Sequence, residues 1–165
     1  MNEPRIEQAI FAAGCFWGVQ YYFDQVPGVV GTTVGYTGGH TEDPTYEEVC
    51  THTTGHAEAV LIGFDPSMVS YETLCRQFFR MHDPTQLNRQ GPDVGDSYRS
   101  AIFCFDDDQL RIAGMVKRES GPSFKKPIVT QIVEAGEFYE AEDYHQKYAE
   151  RTGRGMCHIP YEPVK

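Results

Sequence analysis

The run Ile6-Glu7-Gln8-Ala9-Ile10-Phe11-Ala12-Ala13 leads into Gly14-Cys15-Phe16-Trp17-Gly18 and then into Val19-Gln20-Tyr21-Tyr22-Phe23-Asp24-Gln25-Val26. Residues 6–13 read as a short strand ending in small side chains. Residues 19–26 read as a helix that stops before Pro27-Gly28. Cys15 therefore stands where a strand turns into a helix. A thiol there meets the positive end of the helix dipole and open backbone N–H groups, which favour the thiolate. The two glycines leave room for another molecule to approach the backbone. Phe16 and Trp17, the latter the one tryptophan of the chain, can wall an apolar slot beside the sulfur. A buried thiol packed by core aromatics is the plainer reading of such a cysteine. The flanking glycines weigh against it, because a packed core position does not need them.

Strand and helix go on alternating. Residues 29–34 are strand-like and end in the loop Gly35-Tyr36-Thr37-Gly38-Gly39-His40. Residues 45–49 suit a short helical turn. Residues 57–64 alternate and stop at Asp65-Pro66. Ser70 is placed to cap a helix over 71–81, with Leu74, Phe78 and Met81 on one face. A long loop follows over 82–96. Residues 98–105 read as a strand, and Asp106 to Asp108 open a helix ending near Gly121-Pro122. Residues 128–133 read as a further strand. Residues 137–151, acidic at the start and basic at the end, read as a last helix. The tail from Thr152 has no period. The pattern predicts an α/β or α+β sheet domain with helices laid against the sheet. No repeat and no linker divides the chain, so residues 1–165 are expected to form a single domain.

Composition narrows the partners. The formal net charge of -10 argues against nucleic acid and anionic membranes. No stretch is apolar for long enough to cross a bilayer, and Met1-Asn2-Glu3-Pro4-Arg5 does not open a secretory signal. Five widely spread cysteines point to a reducing, cytoplasmic compartment rather than to a disulfide framework. Cys50, His52 and His56 are too loosely spaced for a zinc site, so no metal is expected.

Two further stretches carry chemistry. In Thr54-Gly55-His56-Ala57-Glu58-Ala59-Val60, alternation puts Glu58 on one face with Val60 and Ile62. Burial on an apolar face raises a carboxyl pKa and makes a candidate general acid. A structural pair with Arg99 is the competing reading. The loop over 82–96 and its exit bring Gln86, Asn88, Arg89, Gln90, Asp93, Tyr98 and Arg99, all able to orient a ligand.

Taken together, Gly14-Cys15-Phe16-Trp17-Gly18, Thr54 to Val60, and the stretches His82-Asp83-Pro84-Thr85, Asn88-Arg89-Gln90-Gly91 and Asp93 to Ser100 resemble peptide methionine sulfoxide reductase A. Thr45-Tyr46-Glu47-Glu48-Val49-Cys50 and Glu142-Asp143-Tyr144-His145-Gln146 match it too. The resemblance runs over nearly the whole chain. It implies a two-layer α/β sandwich with a mixed, ferredoxin-like sheet and an irregular C-terminal tail wrapped across the outside. It implies that Cys15 attacks the sulfoxide sulfur, that Phe16 and Trp17 hold the methyl group, and that Glu58 protonates the oxygen with help from Tyr46 and Tyr98. Asp93 belongs to the polar support. The S epimer is reduced, whether peptide-bound or free, and Cys15 is left as a sulfenic acid. Cys157, in Gly153-Arg154-Gly155-Met156-Cys157-His158-Ile159-Pro160, then resolves it, with Met156 where an aromatic is usual. Thioredoxin, or dithiothreitol in vitro, reduces the disulfide. No bound cofactor and a monomer are expected. Cys75 and Cys104 sit among apolar residues, as inert thiols do. Two alternatives stand beside this: a Cys/His hydrolase using Cys15 with His56 or His145, and a module that binds methionine-rich peptides through Phe16 and Trp17.

Overall fold

A computed structural model describes residues 5–154. Strand β1 (Glu7–Ala13) opens the chain. Gly14 follows with φ +94, a conformation that Cβ-bearing residues avoid. This turn delivers the chain into α1 (Phe16–Asp24), three residues earlier than the apolar pattern implied. Strand β2 (Val29–Thr37) and the short α2 (Tyr46–Cys50) come next. Thr45 caps α2 through a reciprocal box with Glu48. Strand β3 (Ala57–Phe64) and α3 (Tyr71–Met81), capped by the Ser70 side chain, fall where the sequence placed them. The loop after α3 contains a two-stranded ribbon, β4 (Arg89–Gln90) against β5 (Asp93–Val94). A 3-10 turn, Asp96–Tyr98, leads into β6 (Ser100–Cys104), so the expected strand loses its first two residues to the turn. Helix α4 (Asp107–Ser120), strand β7 (Gln131–Glu134), strand β8 (Phe138–Glu140) and the short α5 (Tyr148–Thr152) complete the described chain.

The main sheet has the order β7-β6-β1-β3-β2-β8. Every pair is antiparallel except β6 with β7, so the sheet is mixed. One core holds Phe11, Val34, Tyr36, Val60 and Ile62 from the sheet with Phe16 and Phe23 of α1, Leu74 and Phe78 of α3, and Val116 of α4. Those helices thus share one face. The other face carries Ile10, Ala12, Ala57, Ala59, Ala101 and Phe103.

The expected helix over 137–151 is a correction. Its first part is β8, which pairs antiparallel with β2 through Gly35–Glu140, Tyr36–Tyr139 and Thr37–Phe138. A Cβ on Gly35 would meet the Tyr139 carbonyl oxygen at 2.4 Å, so glycine is what lets β8 dock. Asp143–His145 is a 3-10 turn. Gln146 then binds the backbone of Val34, accepting its N–H and donating to its C=O, both at 3.0 Å. These tertiary bonds outweigh the helical charge gradient. Lys147, at φ +57, breaks the helix again. The anticipated C-terminal tail, with Cys157, lies from Gly155 onward outside the described residues.

Candidate active site

Cys15 is the N-cap residue of α1 and is half-buried. Its side chain makes no capping bond to the helix. The next N–H, that of Phe16, donates to Glu58 Oε1 at 3.2 Å. Strand β3 thereby sets a carboxyl beneath the turn that carries the thiol. Glu58 is 2 % exposed. Burial, opposed by the Phe16 N–H bond and reinforced by the Asp93 charge, pushes its pKa up to about 8. The carboxyl is therefore largely protonated at neutral pH. The competing reading, a pair with Arg99, is not what the fold makes. The Arg99 guanidinium donates to Gln131 Oε1 at 3.1 Å and to the Asp96 carbonyl at 2.9 Å.

Tyr46, Tyr98 and Asp93 gather around this carboxyl from three separate elements. Burial raises both phenols above their ordinary range; the hydrogen bond with Cys50 and then the Glu58 charge follow for Tyr46, and the Glu58 charge follows for Tyr98. Cys15 is also among the charge neighbours of Tyr98. The Tyr46 hydroxyl is hydrogen-bonded to the Cys50 thiol, and burial pushes that thiol up. Phe16 is fully buried, against Tyr36 and His145 at ring distances of 5.7 and 5.2 Å. Trp17 is half-buried and stacks on Tyr148 at 4.0 Å. Of the two aromatics, the indole is the one that offers a surface.

Tyr36 and Glu142 are not singled out as site residues in the sequence, and His145 is named there only as a candidate hydrolase base and within a stretch that carries the resemblance. Tyr36 is the cross-strand partner of Glu58 and is buried beside it. Its hydroxyl donates to Glu142 Oε1 at 2.9 Å, and Glu142 Oε2 accepts the Tyr46 N–H at 3.0 Å. His145 accepts the Trp17 indole N–H on Nδ1 at 2.9 Å, which leaves its proton on Nε2. Burial keeps this imidazole below its ordinary pKa. Tyr36 could have been found from the β2–β3 alternation. The contacts of Glu142 and His145 could not, because a helical reading of their segment points them elsewhere.

Of the two candidate hydrolase bases, His56 is engaged through both ring nitrogens, whereas His145 Nε2 is buried with no hydrogen-bond partner among the described residues. His56 Nδ1 accepts the Gly39 N–H at 3.0 Å and its Nε2 faces the Thr41 carbonyl at 2.6 Å. His52 turns to Asp96 at 3.5 Å. Among the described residues no three His, Cys, Asp or Glu side chains converge as metal ligands. Cys75 and Cys104 are buried with raised pKa values, burial being the first cause in each.

The family model described as peptide methionine sulfoxide reductase matches residues 7–165. The chain belongs to the peptide methionine sulfoxide reductase family. It is 57 % identical to the peptide methionine sulfoxide reductase MsrA of Methanosarcina acetivorans over 150 residues, which cover 90 % of this chain and 80 % of that one. Methionine sulfoxide reductase A of Corynebacterium diphtheriae superposes with a TM-score of 0.88 at 36 % identity, covering 97 % of this chain and 85 % of that one. Mxr1 of Saccharomyces cerevisiae, solved in complex with Trx2, superposes with a TM-score of 0.63 at 26 % identity over 90 % of this chain and 88 % of that one. The chain is accordingly an oxidoreductase acting on methionine sulfoxide. Among the described residues no helix is long and apolar enough to cross a membrane.

Proposed function

We propose that Cys15 attacks the sulfur of methionine S-sulfoxide while Glu58 gives its proton to the sulfoxide oxygen. The observation that carries this is the buried carboxyl, with a pKa of about 8, bonded to the N–H next to Cys15. A sulfoxide oxygen leaves poorly unless it is protonated as sulfur is attacked. A neutral carboxyl flanked by Tyr46 and Tyr98 supplies donors where that charge develops. Attack forms a bond between Cys15 Sγ and the substrate sulfur; the protonated oxygen then passes from that sulfur to Cys15 Sγ as the new bond breaks, so methionine leaves with the electron pair, reduced by two electrons, and Cys15 is left oxidised by two electrons as sulfenic acid. Asp93 keeps the Glu58 proton in place by its charge. Trp17, backed by the buried Phe16, forms the apolar wall for the methyl group. An apolar wall opposite a polar oxygen pocket reads chirality at sulfur, and the family resemblance implies that the S epimer is the one taken.

Cys157 then displaces water from the sulfenic acid to form a disulfide with Cys15, and a thioredoxin reduces it. The solved complex of Mxr1 with Trx2 supports a thioredoxin as the reductant. Free and peptide-bound methionine sulfoxide are both substrates, the enzyme needs no bound cofactor, and it works as a monomer in the cytoplasm. For the fold, the run β1-α1-β2-β3-α3-β6 with strand order β6-β1-β3-β2 supports the ferredoxin-like reading. The tail would lie across its outside.

The experiment mixes the protein with a methionine sulfoxide peptide and dithiothreitol and follows methionine by mass spectrometry. Absence of product overturns the reading. With Cys157→Ser, one equivalent of sulfoxide should still be reduced, while thioredoxin-linked turnover collapses and a sulfenic-acid probe labels Cys15. Full thioredoxin-linked turnover in that variant would remove Cys157 from the scheme. Trp17→Ala should cost far more in substrate use than in alkylation of Cys15. Equal losses would make the indole structural.

A further inference from the structure

The loop leaving α3 and the segment that follows α4 face each other across a cleft of about 1010 Å3. Its walls carry Arg80, Arg89, Lys125 and Lys126, all four exposed. None of the four makes an ion pair among the described residues. Elsewhere among the described residues Arg5, Arg76, Arg111 and Lys147 are paired with carboxylates, while Arg99, Lys117, Arg118, Arg151 and Arg154 are not, so what sets the cleft apart is that four unpaired cations line one concavity. Asp83 is the carboxylate on the cleft wall, and Thr85 already occupies it through its N–H at 3.0 Å and its hydroxyl at 2.6 Å. A molecule of net charge -10 thus presents a cleft lined by four cations and one carboxylate, with no ion pair formed by those cations among the described residues.

Apolar surface is interleaved with that charge. Phe124 lines the cleft, and Leu87 beside it is 69 % exposed. The four cations are exposed and come from three segments: Arg80 from α3, Arg89 from β4, and Lys125 with Lys126 from the stretch after α4. Such a surface suits an extended chain bearing several carboxylates better than one compact oxyanion, which would need convergent donors.

A two-stranded ribbon joins the cleft to one of the candidate site residues. Gln90 lines the cleft and is the cross-strand partner of Asp93. Asp93 in turn acts electrostatically on Glu58 and Tyr98. Paired strands lie about 5 Å apart, so a peptide leaving the site over this ribbon reaches the cations within a few residues.

We propose that this cleft is a recognition site for protein substrates, taking acidic residues that lie near the oxidised methionine in sequence. It rests on the reductase reading of the site at Cys15 and Glu58, and it adds a preference among substrates. Free methionine sulfoxide gains nothing from the cleft, whereas a flexible segment with a Glu cluster is held and presented. The contacts are exposed and screened by salt, so the gain is one of capture and falls with ionic strength.

The test uses peptides with one methionine sulfoxide and a triplet of Glu, Ser or Lys about four residues away, a span of about 13 Å in an extended chain. Wild type at low salt should show a KM about three- to tenfold lower for the Glu peptide than for the Ser peptide, with kcat unchanged. Lys125→Glu with Lys126→Glu should abolish or invert that preference and leave reduction of free methionine sulfoxide as it was. Equal KM values across the peptides in wild type, or an undiminished preference in the double variant, would overturn the proposal. Failure to reduce any sulfoxide would instead strike the reductase reading. In that event a labelled Glu-rich peptide without sulfoxide, followed by fluorescence anisotropy, still decides the cleft. Binding to wild type and its loss in the double variant support it. No binding, or displacement by inorganic phosphate as readily as by unlabelled peptide, overturns it. Concentration-dependent dimerisation abolished by the same variant would assign the cleft to a second copy of the chain and would also overturn it.

Discussion

Glu58 and Glu142 stand on either side of Tyr36, one as its cross-strand partner and the other as acceptor of its hydroxyl. Burial works to raise both. In Glu58 it wins, and the pKa reaches about 8. In Glu142 it is outweighed by the Tyr46 N–H, the residue's own N–H and the Tyr36 hydroxyl, and the carboxyl is held below its ordinary range. The difference is made by backbone context. Glu58 is on β3, which is paired on both sides, with β1 and with β2. The N–H groups around it are committed to the ladder, and the one it receives comes from the start of α1. Glu142 precedes a 3-10 turn and faces the first turn of α2, where N–H groups have no ladder partner. A strand interior starves a carboxylate of donors and keeps it protonated. Two helix and turn starts feed one and keep it ionised.

The largest effect should come from neutralising the first carboxyl. Glu58→Gln is expected to lower the rate at neutral pH by about two to four orders of magnitude, because glutamine gives up no proton. The loss should shrink as acid is supplied at lower pH. Stability should move the other way. A glutamate whose folded pKa is raised stabilises the fold below its unfolded pKa of 4.5, and this contribution is lost as pH rises through about 8. Thermal unfolding should therefore find Glu58→Gln increasingly more stable than wild type between pH 5 and pH 9, by of the order of a few kcal/mol at the alkaline end. A variant with wild-type rates, or with no alkaline gain in Tm, would break the contrast.

The same substitution at the second carboxyl should give the opposite sign. Glu142→Gln loses an ionised acceptor that serves three donors, and is expected to destabilise the fold by about 1–3 kcal/mol. A depressed carboxylate contributes stability above its unfolded pKa and loses it as pH falls through the folded value. The gap between wild type and Glu142→Gln should accordingly close on acidification. Denaturant midpoints at pH 7 and pH 3 check this, and an equal gap at both would contradict it.

A smaller effect sharpens the account of Glu58 itself. Asp93 raises its pKa through charge, after burial. Asp93→Asn should shift the alkaline fall of kcat/KM to lower pH without moving the Cys15 alkylation rate. A shift to higher pH would show that Asp93 acts otherwise.

Much of this was legible from local pattern. Strand β3 was bounded by Asp65-Pro66 and α3 by the Ser70 cap, and both elements came out as read. The burial of Glu58 followed from alternation with Val60 and Ile62. What failed was the segment over 137–151, whose conformation is set by partners far along the chain. Gln146 replaces a neighbouring strand on Val34, and Tyr36 and Tyr46 hold Glu142. No period of 3.6 or 2 encodes such bonds. Strand β7 begins at Gln131 rather than at residue 128 for a similar reason. The Val129 N–H goes to the Pro84 carbonyl at 2.8 Å and the Thr130 carbonyl to Lys117 at 2.9 Å, away from the sheet. The adjacency of Phe16 and Trp17 in sequence does not say which ring faces outward, and in the structure Phe16 is buried.

The central claim is that the proton held by Glu58 is the one the reaction uses, and single-turnover rates against pH test it most directly. Wild type should show a limb that falls with a midpoint near 8, the pKa to which burial lifts Glu58. Glu58→Gln should be slow and lack that limb. The same alkaline limb in the variant, or its absence from wild type, would contradict the account.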